Sequence, residues 1–257
     1  MAGWDRLIRP PTGPLARFLS LRRILGIPVS IPTVTPYAVV VGEGRQQSFI
    51  DLLEQLYRER SLMAYPAGQN IPLKADEVLI VCRGVAQLFT IQQDGGETLL
   101  GLAGPSMPMG LPLTIVDPYW AMGLTDVDVL ALPFGEVEAS PVLMMGVFRN
   151  LTLRLQQTEA WLALSGKRLV ADRLRHFLML LAKDFGQVEP QGIRIPLKLT
   201  HHQLATAVGT TRVTVTRLLK EFKAEGWISL DRRHILLGTG AQSPATQLLN
   251  PKSAHSR

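Results

Sequence analysis

The stretch HHQLATAVGTTRVTVTRLLKEF, residues 201–222, restricts the possible folds of this chain more than any other segment. It reads as two short helices joined by a tight turn. Thr200 and Gln203 form the capping-box pattern T-x-x-Q, which starts a helix. Gly209 then permits the positive φ that a tight turn requires. Two short helices joined by a glycine-containing turn are typical of a helix-turn-helix motif.

The second of these helices has two faces of different chemistry. Thr210 or Thr211 can cap its start. Its apolar residues recur at i, i+3, i+4 and i+7 and predict a buried stripe of Val215, Leu218, Leu219 and Phe222. The opposite face carries basic and β-branched residues and no acid, namely Arg212, Val213, Thr216, Arg217 and Lys220. Valine and threonine are poor helix formers, so an ordinary solvated face does not account for them.

This outer face predicts a helix that enters the major groove of DNA. Arg212 and Arg217 can each donate two hydrogen bonds to the O6 and N7 acceptors of a guanine, and Val213 can pack against a thymine methyl. Thr214 and Thr216 are short enough to let the helix approach, and they can bond phosphates or bases. The alternative is a basic surface helix without a ligand, which an exposed valine between arginines disfavours.

The segment WISLDRRHILL predicts two strands that form a wing beside the two helices. Arg232 and Arg233 fall at its tip, where they would reach phosphates, and Lys220 suits a phosphate as well. The predicted DNA-binding set is therefore Thr200, Thr210, Thr211, Arg212, Val213, Thr214, Thr216, Arg217, Lys220, Arg232 and Arg233. The adjacent His201 and His202 are interpreted as surface residues, because neighbours on a helix do not face the same way.

The distribution of charge agrees with a polyanionic partner. Residues 192–237 hold 8 Lys/Arg against 3 Asp/Glu, whereas residues 46–139 hold 4 against 12. A basic block that follows an acidic block predicts contact with nucleic acid. The single Cys82 excludes an intrachain disulfide. With no apolar run near eighteen residues and no signal-peptide core, we expect a cytoplasmic protein without a membrane segment.

The pattern changes along the 257 residues and predicts an α+β chain. An N-terminal segment rich in Pro, Gly and Arg is interpreted as a flexible arm, with a membrane-surface helix as the minor alternative. A helix over QSFIDLLEQLYRER precedes short strands in EVLIVCRGVAQLFTIQQDGGETLLGLAG and DVDVLALP, which predict a small barrel or roll. The predicted units are an N-terminal extension (residues 1–45), a β-roll (46–139), a dimerisation helix (140–168), a DNA-binding domain (169–237) and a disordered tail (238–257).

Pro141 opens the long helix. Leu151, Leu155, Thr158 and Leu162 step by four, three and four, which favours a two-chain coiled coil over packing on the roll of the same chain. After a break at residues 166–168, ADRLRHFLMLLAKDFG predicts another helix, with Gly186 as the residue after its C-terminus.

The motifs LKLTHHQLATAVGTTRVTVTRLL, FLMLLAKDFG and RLQQTE resemble the family of the cyclic AMP receptor protein and FNR, and within it the nitrogen-control branch that responds to 2-oxoglutarate. The roll motifs YPAGQNI, VCRGVAQL and GGETLLGLAG match at the level of the family. The resemblance covers roughly residues 46–237. It implies a cupin-like, cyclic-nucleotide-binding-like β-roll, a long dimerisation helix and a C-terminal winged helix-turn-helix.

The resemblance also restricts the effector. Leu111 follows Gly110 where cyclic-nucleotide binders have glutamate, and Tyr119-Trp120 lies near the expected Arg-Ser pair, so cyclic AMP is disfavoured. One Cys82 cannot hold an iron–sulfur cluster, and no histidine in the roll is available as a haem ligand.

In the nitrogen-control branch, an arginine and a glutamate of the long helix take part in binding 2-oxoglutarate, and Arg154 and Glu159 match them. A loop of the branch binds the same molecule through its backbone amides, and Met109, Gly110, Leu111 and Pro112 match that loop. Pro112 has no N–H, and Asp117 lies near the position of the second arginine. Retained 2-oxoglutarate binding and a diverged paralogue without this effector both stay open. A charged pair beside the coiled-coil seam is the structural alternative for Arg154 and Glu159.

The sequence thus predicts a transcription regulator that binds double-stranded DNA as a homodimer. The resemblance implies a palindromic site with half-sites that read GTA or TGTA, and a role as an activator in nitrogen or other nutrient stress. It also implies RNA polymerase as a partner and a protein co-regulator as an alternative to a small effector. An enzyme is disfavoured, because the sequence has no nucleophile–base grouping, metal-ligand spacing or phosphate-cradling glycine loop.

Overall fold

The computed structural model describes residues 43–231 and 234–238, with side chains from Phe49 onward. The helices are α1 (Glu43–Glu59), α2 (Phe134–Ala139), α3 (Pro141–Ser165), α4 (Val170–Phe185), α5 (His201–Val208) and α6 (Arg212–Ala224), with a 3-10 turn at Leu111–Leu113. The strands are β1 (Met63–Tyr65), β2 (Glu77–Arg83), β3 (Ala86–Ile91), β4 (Glu97–Ala103), β5 (Pro108–Met109), β6 (Trp120–Gly123), β7 (Val127–Pro133), β8 (Gln187–Glu189), β9 (Gly192–Ile195), β10 (Ile228–Asp231) and β11 (His234–Gly238). Most of the predicted N-terminal arm and tail, and Arg232 and Arg233, lie outside the described residues.

Strands β1 to β7 form the predicted roll from two antiparallel sheets, in the orders β1-β7-β2-β5 and β4-β3-β6. Apolar side chains of both sheets meet between them, among them Val81, Leu88, Ala121 and Val129, all at most 1% exposed. Gly95 takes a φ of 80° in the turn that joins β3 to β4, as the Asp94-Gly95-Gly96 pattern predicts.

Strand β2 is buried on both of its faces. Leu79 and Val81 point between the two sheets, whereas Val78 and Ile80 pack under the helices on the outside of the roll. A strand that is covered on both sides has no reason to alternate polar with apolar residues. This accounts for the continuous apolar run VLIV in the sequence.

Helix α1 packs on the roll beside the first turns of α3. The helix predicted over QSFIDLLEQLYRER is confirmed, and its Phe49, Leu53 and Leu56 are buried against strands β2 and β7. Gly146 of α3 lies directly under the ring of Phe49, where a Cβ atom would be 2.0 Å from Cδ2. The glycine therefore lets the two helices cross at close range.

Helix α3 begins where Pro141 predicts. The Ser140 side chain accepts a 3.3 Å hydrogen bond from the Leu143 amide and caps the helix. The helix ends before Gly166, and the short break to Val170 confirms the predicted interruption. Within the described ranges, no helix has the length and apolar character needed to cross a bilayer.

Helices α4, α5 and α6 pack against a four-stranded sheet with the order β10-β11-β9-β8. Gly186 ends α4 as predicted, but for a different reason. Its φ is −64°, which any residue adopts, so it is not a left-handed C-terminal residue. Instead, a Cβ at Gly186 would lie 2.1 Å from the Ala182 carbonyl oxygen and 2.5 Å from Ile193 Cγ2. Close packing between helix and sheet therefore requires the glycine.

The roll and the C-terminal domain share one continuous hydrophobic core. Val85, Leu102 and Leu124 of the roll belong to the same buried cluster as Phe177 and Leu204 of the helical domain. A hydrogen bond of 3.0 Å from Gln203 Nε2 to Gln87 Oε1 adds a polar link between α5 and β3. The helix-turn-helix is therefore held against the roll of its own chain.

Candidate nucleic-acid interface and effector loop

The first helix of the predicted motif is capped as its sequence indicates. The Thr200 hydroxyl accepts a 3.1 Å hydrogen bond from the backbone N–H of Gln203. In return, the side-chain oxygen Oε1 of Gln203 accepts a 2.9 Å bond from the backbone N–H of Thr200. Gly209 ends the helix with φ 63° and ψ 59°, the left-handed conformation that the turn needs. Of the two candidate caps for α6, Thr211 takes the role, and its hydroxyl accepts from the Thr214 amide at 3.2 Å.

The inner face of α6 is buried as predicted, with Val215, Leu218, Leu219 and Phe222 at most 5% exposed. On the outer face, Arg212, Arg217 and Lys220 are exposed. Val213 is 78% exposed, which is unusual for a valine in a helix that packs a core on its other side. The structure thus presents two guanidinium groups and an apolar side chain together on one accessible surface.

Arg217 has an acidic neighbour, although the sequence predicts an outer face without an acid. Its Nη1 lies 2.6 Å from Glu221 Oε1, one helical turn further along α6. The side chains of both residues are largely exposed. The pair occupies one of the donors that Arg217 would offer to a guanine.

Two threonines of α6 use their hydroxyl groups within the protein. Thr216 Oγ1 lies 2.9 Å from the Arg212 carbonyl oxygen and 2.7 Å from His201 Nδ1. Thr214 Oγ1 lies 3.0 Å from Thr211 Oγ1. His202 is exposed, as interpreted, whereas His201 is half-buried and bonds a residue of the outer face.

The wing begins as the sequence predicts. Strands β10 and β11 pair in antiparallel register from Ile228 opposite Leu237 to Asp231 opposite His234. Arg232 and Arg233 connect these strands outside the described residues, so their assignment to phosphates stays a prediction.

The candidate effector loop contacts the long helix through Arg154. The Arg154 guanidinium donates a 2.9 Å hydrogen bond to the Pro108 carbonyl oxygen and a 3.4 Å bond to the Tyr119 hydroxyl. Burial raises the pKa of Tyr119, whereas the neighbouring Arg154 acts to lower it. Gly110 is buried with a φ of 148°, and a Cβ there would lie 2.7 Å from the Glu77 carbonyl oxygen. Gly110, Leu111 and Arg154 therefore belong to one neighbourhood.

Glu159 is not part of that neighbourhood. It is exposed, and it lies five residues beyond Arg154, about 140° around the helix axis. Within the loop, the backbone amides of Leu113 and Thr114 donate to the carbonyls of Gly110 and Leu111 at 3.2 and 3.3 Å. Within one chain, a dicarboxylate at this loop would meet Arg154 without Glu159.

Comparisons with known proteins agree with this arrangement. Residues 172–238 match the Crp-like helix-turn-helix domain. The chain is 33% identical over 170 residues to the global nitrogen regulator of a Synechocystis strain. The matched segment covers 63% of this chain and 76% of that protein. The chain belongs to the Crp/Fnr family of transcription regulators. It is also 30% identical over 184 residues to a CRP-like cAMP-activated global transcriptional regulator of Mycobacterium tuberculosis, covering 67% of this chain and 82% of the relative.

Solved structures of the family support the architecture. The fold is similar to that of a CRP/FNR-family transcriptional regulator from Thermus thermophilus, with a TM-score of 0.59 and 25% identity over 77% of this chain and 100% of that one. The roll, the long helix and the winged helix-turn-helix are therefore those of a Crp/Fnr regulator.

In this Crp/Fnr chain, an arginine of α4 holds the turn of the motif, and sequence analysis did not identify it. Arg173 donates to the carbonyls of Val208 at 2.8 Å and Gly209 at 3.3 Å. It also donates to the carbonyl of Lys167, in the break between α3 and α4, at 3.0 Å. One guanidinium thus ties the turn before α6 to the break after the long helix.

A second arginine of α4 holds the other end of α6. Arg175 pairs with Glu225, and its guanidinium lies 4.1 Å from the ring centroid of Phe222 and 4.9 Å from that of Trp227. Arg173 and Arg175 therefore fix both ends of α6. Their spacing in ADRLRHFL carries no signal for this role, because their partners in the turn before α6 and at its far end lie at least 35 residues away in sequence.

Proposed function

We propose that this Crp/Fnr regulator binds palindromic DNA sites, with half-sites that read GTA or TGTA, through the exposed face of α6. The observation that carries the proposal is the 78% exposure of Val213 beside the exposed guanidinium groups of Arg212 and Arg217. Guanine offers paired acceptors in the major groove, and thymine offers a methyl group. These are the partners that such a face requires.

Palindromic sites require a two-fold dimer. The exposed apolar residues Phe148, Leu155 and Leu162 of α3 follow each other at steps of seven and are 62%, 58% and 70% exposed in the single chain. Thr158 is exposed on the same helix, whereas Leu151 is half-buried against the roll. The proposed seam therefore runs through Phe148 rather than Leu151, and it pairs two copies of α3.

Other residues of the interface would supply affinity without base choice. Lys220 is exposed near the outer end of the face, and Thr200 lies at the N-terminus of α5. Phosphate oxygens suit both positions, since backbone amides at helix N-termini and ammonium groups bind anions. We assign Arg232 and Arg233 to the same class of contact.

The pathway is proposed from relatives. The Synechocystis protein is named a global nitrogen regulator. We infer that this chain acts in the response to nitrogen or another nutrient, in the cytoplasm, by binding rather than by catalysis. Activation through contact with RNA polymerase is the corresponding expectation.

Selection of bound duplexes from a random pool tests the DNA site directly. The purified full chain is used with and without 2-oxoglutarate, and bound duplexes are sequenced. The expected result is a two-fold symmetric motif with GTA and TAC arms whose centres lie about one helical turn of DNA apart. Recovery of no motif, or of an asymmetric one, contradicts the proposal.

Val213→Glu tests the register of the face. A glutamate would replace contact with a methyl by an acceptor, which favours the N4 donor of cytosine over thymine. An acidic residue near the N-terminus of a helix is favourable, so α6 should still form. Val188→Glu is the matched control, because Val188 is an exposed valine of the same domain on β8.

Competition between duplexes altered at single positions should show a changed preference for Val213→Glu and none for Val188→Glu. Equal weakening of every duplex by Val213→Glu would mean that Val213 does not face a base.

A diverged regulator without a small effector is the second candidate, and one observation favours it. The Arg154 guanidinium is already bonded to the Pro108 carbonyl and the Tyr119 hydroxyl, which leaves it fewer donors for a dicarboxylate. Such a regulator would act through a protein co-regulator. DNA affinity measured with and without 2-oxoglutarate separates the candidates: a change that Arg154→Ala abolishes supports the effector, and an unchanged affinity supports the second candidate.

A further inference from the structure

Thr216 lies at the centre of the proposed DNA-binding face. Arg212 and Lys220 lie one turn before and one turn after it on α6, and its side chain is half-exposed. Its hydroxyl oxygen contacts two groups of the protein, the Arg212 carbonyl oxygen at 2.9 Å and His201 Nδ1 at 2.7 Å. What Thr216 can offer to DNA depends on where its single hydroxyl proton points.

The two contacts together fix that proton. A hydroxyl has one proton and two lone pairs, and a carbonyl oxygen only accepts. The Thr216 proton must therefore point to the Arg212 carbonyl. His201 Nδ1 must then carry a proton and donate it to Thr216 Oγ1, since two acceptors cannot bond each other. The hydroxyl keeps one lone pair and has no proton left to donate.

This excludes most of the polar contacts that a threonine makes with DNA. Phosphate oxygens, guanine O6 and N7, adenine N7 and thymine O4 are all acceptors and require a donor. Thr216 has none available while the Arg212 carbonyl accepts its proton and His201 donates to its oxygen. Its methyl group remains, and a thymine methyl is an apolar partner for it in the major groove.

We propose that His201 is a specificity-determining residue of this regulator: it holds the Thr216 hydroxyl against α6, so that Thr216 presents its methyl group to a thymine. The inference rests on the proposed function of α6 and adds a second thymine contact to that of Val213. His201 lies on α5 and acts through Thr216.

Thr214 provides the contrast within the same helix. Its hydroxyl shares a hydrogen bond of 3.0 Å with that of Thr211, and Thr211 Oγ1 also accepts from the Thr214 amide. Two hydroxyl groups hold two protons, and their mutual bond uses one. The Thr211–Thr214 pair therefore retains one proton that it can donate to a phosphate oxygen. The Thr216 hydroxyl retains none.

Binding to duplexes with uracil in place of single thymines tests this division, because the exchange removes only a methyl group. The wild-type protein should lose affinity at two thymines of each half-site, one facing Val213 and one facing Thr216. Each exchange should cost about three- to fourfold, the factor that ~0.8 kcal/mol per buried methyl-sized group represents. Thr216→Val keeps the methyl and the shape, and should keep the sensitivity at the thymine facing Thr216. Thr216→Ser lacks the methyl and should lose the sensitivity at that thymine.

Two further variants complete the experiment. His201→Ala releases the Thr216 hydroxyl and should reduce the uracil sensitivity at the same thymine. Val213→Ala should remove sensitivity at a different thymine. Thr214→Val is the matched control for Thr216→Val, and it should weaken binding to all duplexes alike.

The inference is overturned if Thr216→Val weakens binding while Thr216→Ser does not, because the hydroxyl would then be a donor to DNA. It is also overturned if wild type and Thr216→Ser respond identically to uracil at every position. A wild-type protein that binds no duplex selectively would instead refute the proposed function itself, and this inference with it.

Discussion

Gln157 and Asp184 are joined by a 3.2 Å hydrogen bond from Gln157 Nε2 to Asp184 Oδ2, which links the long helix α3 to the first helix of the DNA-binding domain. The oxygen of the same amide accepts a 3.0 Å bond from the Leu102 backbone amide in the roll. Gln157 is only 7% exposed. One side chain thus connects the roll, the long helix and the DNA-binding domain.

Gln157→Leu should destabilise the folded chain by about 1–3 kcal/mol, the cost of leaving a buried backbone donor without a partner. Leucine is similar in size, so the loss would come from the Leu102 amide rather than from a cavity. Urea denaturation followed by circular dichroism measures the change. Gln156→Leu, at the exposed neighbouring position, is the control and should leave the free energy of unfolding nearly unchanged. Equal effects of the two changes would contradict the role of Gln157.

The long helix shows why the sequence revealed one of its faces and not the other. Leu155 and Leu162 are apolar, exposed and seven residues apart, so periodicity detected them, although it also included the half-buried Leu151 and missed Phe148. Gln157, Trp161 and Leu164 form a second face that packs against the DNA-binding domain of the same chain, and Trp161 meets the ring of Phe177 edge-on at 5.2 Å. A buried glutamine is indistinguishable from an exposed one in a sequence, because its partners here lie 55 residues before it and 27 after it.

Leu155→Glu should convert the dimer to monomers that no longer bind palindromic DNA. Leu155 is 58% exposed in the single chain, so a glutamate there does not disturb the fold of the monomer, whereas it places unpaired charge in the proposed seam. Sedimentation velocity and duplex binding measure the two consequences. Leu153→Glu changes another exposed leucine of the same helix, 44% exposed, and serves as the control. A wild-type monomer that binds its site specifically would contradict this prediction.

In the proposed DNA-binding site, as in the long helix, the sequence predicted contacts between nearby residues and not those between distant ones. The capping box, the turn glycine and the cap of α6 depend on residues three or four positions apart. The sequence predicted the first two and left Thr210 and Thr211 as candidates for the third. The bond between His201 and Thr216 spans 15 residues, and the bonds from Arg173 to the turn span 35 and 36. These contacts exist only because α4, α5 and α6 pack together. Residue types and spacing therefore located the interface without showing how its hydroxyl groups are used.

Cys82 should react slowly with iodoacetamide in the folded protein. Burial raises the pKa of its thiol to about 12, and its Sγ lies 3.5 Å from the Ile80 carbonyl oxygen. At pH 8 the thiolate fraction would then be about one in ten thousand, against roughly a quarter for an ordinary cysteine. Mass spectrometry of alkylated protein, in buffer and in urea, measures the difference.

The same shift sets a pH dependence of stability. Because the folded pKa of Cys82 lies above the unfolded value, the contribution of the thiol is fully present below the unfolded pKa and is lost as pH rises from about 9 to 12. Cys82→Ser should therefore reduce the alkaline loss of stability. Rapid alkylation of the folded wild type at pH 8 would contradict the burial of the thiol.

Arg217 and Lys220 allow base choice to be separated from simple charge. Arg217→Ala should cost about 1–3 kcal/mol on the preferred duplex and relax the choice at one position of each half-site, because it removes a contact to a base edge. Lys220→Ala removes the same charge from the same helix, but it should weaken binding to all duplexes alike and reduce the salt slope by about one. Competition between single-position variants of the duplex, at fixed salt, distinguishes the two results.

Glu221→Gln should raise the affinity for every duplex, because it removes a negative charge from the surface that faces phosphates and frees the Arg217 guanidinium from a 2.6 Å ion pair. The salt dependence of binding should become steeper by about one unit. Stability should change little, since exposed pairs one turn apart in a helix contribute only a few tenths of a kcal/mol. If Glu221→Gln lowers affinity, the carboxylate orients Arg217 for the base rather than competing with it. If Arg217→Ala weakens all duplexes equally, Arg217 contacts phosphate, and the base-reading part of α6 would lie nearer its N-terminus, at Arg212 and Val213.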